Sequence, residues 1–168
     1  MQTLNVGAGR TDQEYQAAEE SRREELRSEV QTSAFYFFVA AIMAGLGSGA
    51  IFIKLNLIVN IGAIDLVAIY GRELLHDSLL LFRAVGAVWI VLLLLLGVAA
   101  RKGHRWAFWV GIILYGADLI CVIVMLNLFT ILAVGVHGFL IMQWFKGQRA
   151  LGELAEEASR AAAAANSR

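Results

Sequence analysis

From Trp106 to Phe145 the chain is nearly all apolar, long enough to cross a bilayer twice, and tightly interrupted only around Asn127. A stretch of this kind has few ways to fold. With ~20 residues covering a ~30 Å hydrocarbon core at ~1.5 Å per residue, it predicts two antiparallel helices that turn beside Asn127. A helix satisfies its own backbone N–H and C=O groups, which hydrocarbon demands. The same run contains Asp118 and His137, nearly equidistant from Asn127. A turn there sets both at about one depth on adjoining helices, where a carboxylate has to be shielded, partnered or protonated.

Apolar residues make up 59% of the chain, more than a soluble domain normally carries. Charge gathers at the two ends, Gln2 to Gln31 and Lys146 to Arg168, so the formal net charge of zero conceals a segregated pattern. Acidic residues accompany the basic ones in both tails, which argues against a nucleic-acid partner. Proline is absent, and no helix need carry its kink or missing amide. The one cysteine, Cys121, has no intrachain disulfide partner and makes no zinc cluster by itself. Because the first apolar run begins only near Ser33, behind a charged stretch, no cleavable signal peptide is expected.

Four spans follow from the apolar runs: about 34–53, 79–100, 106–126 and 128–145. Ahead of them, Thr11 to Val30 reads as a polar amphipathic helix, with capping-box spacing at Thr11 and Glu14 and Glu/Arg pairs at helical distances. The domain division is then a polar cytoplasmic helical tail over 1–32, a transmembrane domain over 33–147, and a second helical tail over 148–168, fraying through Ala161 to Ala165. The segment from Leu55 to Leu75 is apolar enough to count as a fifth span. Charge bias decides against it: four spans keep Arg101, Lys102, Arg105, Lys146 and Arg149 on the side of the N-terminal arginines, as the positive-inside rule requires. That segment is read as an interfacial or re-entrant helix between the first two spans.

Gly111, Tyr115 and Asp118 share one face of the third helix, and Thr130, Val134 and His137 share one face of the fourth. In a hairpin those faces bring the carboxylate near the imidazole, with Tyr115 one turn away. Such a pair can exchange protons, since an imidazole titrates near neutral pH and an adjacent carboxylate stabilises its cation. It can equally be a structural hydrogen bond holding two helices in register. Arg83 lies about a turn inside the second span; it either snorkels to the headgroups or pairs with Asp118. Ala41, Gly45 and Gly49 form a small-residue stripe for close helix packing, within the bundle or between copies. Trp106, Trp109 and Trp144 flank basic residues and read as interface anchors.

Other chemistry finds little footing. Gly45-Leu46-Gly47-Ser48-Gly49 lacks the first glycine of the Gly-x-Ser-Gly motif of rhomboid-like proteases, and Ser48 reads as a packing residue. His76 with Glu73 and Asp77 lacks a further ligand for a metal site. His137 has no second intramembrane histidine at matching depth for haem. No metal or cofactor is expected.

Arg105-Trp106-Ala107-Phe108, Gly111, Leu114-Tyr115 with Asp118, and His137 followed by Gly147 together resemble bacterial four-helix integral membrane proteins of unknown function. The likeness covers roughly the C-terminal third of the core. It implies a multi-pass protein of the bacterial cytoplasmic membrane and brings no activity with it.

The expectation is therefore an all-α integral membrane four-helix bundle with both termini cytoplasmic. Its partners are the bilayer and other membrane chains or copies of itself. The expected role is a non-enzymatic accessory or structural subunit, or a self-assembling module; the alternative is a small oligomeric proton-linked transporter or channel using Asp118 and His137.

Overall fold

A computed structural model describes residues 12–52, 79–124 and 130–166, all but a short connection of them helical. Four helices follow in order: α1 (Asp12–Phe52), α2 (Leu79–Arg101), α3 (Arg105–Val124) and α4 (Thr130–Asn166). The segment Leu55 to Leu75 and the turn at Asn127 lie outside the described residues.

α1 packs on α2 and on α4, and α3 packs on α4 and less extensively on α2. Contacts give the directions. On α1, Phe37 meets Gly97 of α2 while Gly45 faces Ile90, so the two helices run antiparallel. Arg22 pairs with Glu157 and Phe37 stacks on Trp144, which makes α1 and α4 antiparallel as well. The result is an up-down-up-down four-helix bundle.

A three-residue connection joins α2 to α3. His104 N–H donates to Ala99 C=O at 3.1 Å and Gly103 N–H to Ala100 C=O at 3.0 Å, the paired bonds of a Schellman cap. That cap needs a left-handed residue, and Gly103 supplies it at φ 83° without the Cβ clash other residues meet.

The boundaries expected at 32/33 and 147/148 fall inside continuous helices of 41 and 37 residues. The reason is phase. Leu26, Val30, Ser33, Phe37, Ala40 and Ala44 are all buried and alternate in steps of four and three, so one seam runs from the polar segment into the apolar one. On α4 the same alternation links His137, Leu140, Trp144, Gly147, Leu151 and Leu154, all buried or partly so. A seam in heptad steps favours shallow helix crossings with interdigitated side chains. Beyond the α2–α3 turn, α1 and α4 continue as a two-helix stalk of roughly 30 Å. Leu26, Val30, Ala150, Leu151 and Leu154 form its seam, and Arg22 and Arg23 bridge to Glu153 and Glu157 at 3.3 to 3.5 Å.

Taken over the described residues alone, no helix is long and apolar enough to cross a membrane.

Candidate functional site

The bundle is centred on Phe37, fully buried, whose ring stacks on Trp144 at 4.2 Å and tilts against Phe108 at 5.9 Å. Three glycines make room for this aromatic core. A Cβ on Gly111 would lie 2.5 Å from Phe37 Cε1, one on Gly147 would lie 2.5 Å from Ser33 Cβ, and one on Gly97 would lie 2.9 Å from Phe38 Cε2. Each is a place where a side chain of α1 presses against the backbone of another helix.

The polar site sits beside that core. His137 Nε2 and Asp118 Oδ2 are 2.7 Å apart, with side chains 1% and 4% exposed. With the carboxylate as acceptor, the imidazole donates from Nε2. The contact crosses from α3 to α4 and stands with its helix positions: Asp118 is on the face of Gly111 and Tyr115, and His137 is on the face of Leu140 and Trp144. Each partner also makes a further interaction, so the pair is not isolated. Tyr115 covers it, its ring 5.2 Å from His137 and 4.8 Å from Trp144, edge to face with the indole. Trp89 of α2 closes the other side of Tyr115 at 6.3 Å. Rings from α2, α3 and α4 thus gather around Tyr115, on one side of the pair.

Trp144 is a correction. Expected at the membrane interface beside Lys146, it is fully buried, because it stands two helical turns from His137 on the same inward face, whereas Lys146 points outward. Its Nε1 has no hydrogen-bond partner among the described residues. Ring packing on Phe37 and Tyr115 fixes the indole in place of a polar contact. Trp106 and Trp109 do lie outside, 56% and 44% exposed. Trp106 stacks near His104, and Trp109 packs edge-on against Phe145.

The small-residue stripe is also redistributed. Ala41 is buried, but a Cβ on Gly45 would meet only Ile90 Cδ1 at 3.8 Å, an ordinary contact. Gly45 therefore faces α2 inside the bundle and is no point of close approach; Gly97, Gly111 and Gly147 are. The surroundings of Gly49 and the side chains of Arg83 and Cys121 lie outside the described residues.

Sequence reasoning missed Phe37, Ser33 and Trp89. The heptad stepping of Leu26, Val30, Ser33 and Phe37 was the available signal for the first two; nothing comparable marks Trp89.

Among the described residues no three His, Cys, Asp or Glu side chains come together as a metal site. Chemically, the arrangement offers one carboxylate–imidazole hydrogen bond in a ring-lined interior. No protein-family model, curated protein or solved structure matches the chain.

Proposed function

We propose that this chain is an integral, non-enzymatic module of a bacterial cytoplasmic membrane, serving as an accessory or structural subunit of a membrane assembly. On this reading the Asp118–His137 pair is the polar pin between its last two helices. One observation carries the reading: large apolar side chains face outward on all four helices, while the Asp118 carboxylate and the His137 imidazole are buried in the apolar core. Ile42, Val88, Leu95, Ile113, Ile120, Ile131 and Met142 are each 60% exposed or more, while an aspartate and a histidine are sealed inside. In water, contiguous apolar surface beyond a few hundred Å² is rare on a protein with no partner; in lipid it is the ordinary solvent-facing surface.

Dimensions agree with this. α2 and α3, of 23 and 20 residues, rise about 35 and 30 Å, against a ~30 Å hydrocarbon core. In the sequence the apolar runs that contain them extend over 79–100 and 106–126. Arg101, Lys102, Arg105, Lys146 and Arg149 all fall near the end of the bundle from which the stalk projects, which supports placing that end, and both tails, in the cytoplasm.

A pin of this kind suits assembly. Interhelical hydrogen bonds hold register where the hydrophobic effect does not separate protein from solvent. A second reading, a proton-linked oligomeric carrier, draws on the 2.7 Å carboxylate–imidazole contact. The burial of both side chains, 1% and 4% exposed, favours the pin.

The experiment is gentle purification from native membranes after an alkaline carbonate wash. Retention in the washed membrane, together with other chains or copies at fixed ratio, is expected. Release by carbonate overturns membrane insertion, and a lone monomer overturns the assembly role. A pH-dependent flux in vesicles, abolished by Asp118→Asn and His137→Ala in folded protein, would replace the pin with the carrier.

A further inference from the structure

Four arginines of the stalk are engaged within the chain: Arg22, Arg23, Arg149 and Arg160 each pair with a glutamate at 3.3 to 3.5 Å. The cations of the α2–α3 turn are not. Arg101, Lys102 and Arg105 are exposed and make no ion pair among the described residues. The sequence has no carboxylate between Asp77 and Asp118. The neighbouring helices offset little of this charge. On α1 the face that meets Arg101 runs from Phe38 to Gln31 and Arg27 before any acidic residue, whereas Glu29 shares the face of Tyr36, which turns to Phe139 of α4. On α4, Arg105 lies over Gly152, its Nη2 3.4 Å from where a Cβ would stand. The glutamates nearest that point, Glu153 and Glu156, are already paired with arginines.

Resting on the membrane reading above, we infer that this turn is a binding surface for anionic phospholipid headgroups, their phosphates held by Arg101, Lys102 and Arg105. Two features select lipid over an acidic protein segment arriving from the water. The Arg101 guanidinium turns back along its own helix and lies 4.7 Å from the centre of the Phe38 ring, the ring that also presses on Gly97. Its charge therefore sits at the rim of the apolar surface rather than out in solvent. Trp106 and Trp109 follow the same cations one helical turn apart, 56% and 44% exposed, and indoles so placed settle at headgroup level. Cation and ring together match the boundary between headgroup and acyl chain.

Protein is reconstituted into phosphatidylcholine vesicles containing a small fraction of phosphatidylglycerol or phosphatidylcholine brominated on its acyl chains. Bromine quenching of tryptophan fluorescence then reports which lipid stands beside Trp106 and Trp109. Wild type is expected to gather phosphatidylglycerol about fivefold or more over phosphatidylcholine, the preference that one cation beside an anionic lipid already provides, and to lose most of it at 1 M salt. Arg101→Gln, Lys102→Gln and Arg105→Gln together bring the ratio to parity. Arg101→Lys with Arg105→Lys keeps the charge and the preference. Arg160→Gln, which removes a stalk charge paired with Glu156 at 3.5 Å, leaves the ratio unchanged. Equal quenching by the two lipids in wild type overturns the inference, as does a preference that survives the triple glutamine substitution. Absence of a lipid preference, with a polyglutamate peptide bound at the turn, replaces the lipid by an acidic protein segment. Carbonate extraction separates failure of this inference from failure of the membrane reading. A chain that washes out of membranes sinks the membrane reading and this inference together; a chain that stays in and shows no lipid preference sinks this inference alone.

Discussion

Replacing Asp118 by leucine leaves the imidazole N–H of His137 in an interior where its side chain is 1% exposed. A buried donor without an acceptor costs about 1–3 kcal/mol. The reverse replacement, His137→Leu, strands a carboxylate that is 4% exposed, and removing one partner of a buried charged pair costs about 3–5 kcal/mol. Leucine at both positions removes donor and acceptor together, so neither is left unpaired and the double variant costs about 1–2 kcal/mol less than the two single costs added. Each partner's further interaction is lost in the single and the double variants alike, so it cancels from the coupling. What remains is the mutual term. Interhelical hydrogen bonds in membrane bundles are worth about 0.6 to 1.7 kcal/mol, and the near-complete burial of both side chains places this one at the upper end. A coupling of about 1–2 kcal/mol is expected from reversible unfolding of the two single variants, the double variant and wild type in mixed micelles. Additivity to within about 0.3–0.5 kcal/mol, the behaviour of distant sites, would refute the pin, because atoms 2.7 Å apart would then contribute nothing to each other.

Gly111→Ala and Gly147→Ala each place a methyl 2.5 Å from a buried carbon and are expected to cost about 1–3 kcal/mol by overpacking. In the same unfolding assay Gly116→Ala, with nothing within 4 Å, gains about 0.5–1 kcal/mol from helix propensity. Acrylamide quenching of the tryptophan fluorescence should fall in Trp106→Phe and hardly change in Trp144→Phe, since the first indole is 56% exposed and the second 0%. Glu157→Gln removes the carboxylate shared by Arg22 and Arg23 at 3.4 and 3.5 Å. Being partly exposed, that pairing contributes about 0–1 kcal/mol, so amide exchange over 155–166 should quicken slightly at low salt and match wild type at 1 M salt.

Helical secondary structure, the number of helices in the core and the antiparallel last pair are properties of the residue order alone. Apolar runs of helical length allow one kind of element, and a break at Asn127 with Asp118 and His137 almost equally far from it leaves those two faces one way to meet. That logic is local: it needs only the 3.6-residue repeat and a turn. The heptad steps in α1 and α4 were legible by the same repeat, although the change from charged to apolar residues at 32/33 and 147/148 looks like a boundary when composition is weighed before phase.

Tertiary structure decided which residues the packing depends on. Gly45 and Gly111 are the same residue type in similar apolar surroundings, yet only Gly111 has an aromatic ring of another helix against its backbone. Trp144 sits beside Lys146 in the chain, and its burial follows from facing Phe37 across the bundle. These outcomes depend on how far each helix is rotated relative to its neighbours, a quantity set jointly by all four and stored in no single segment.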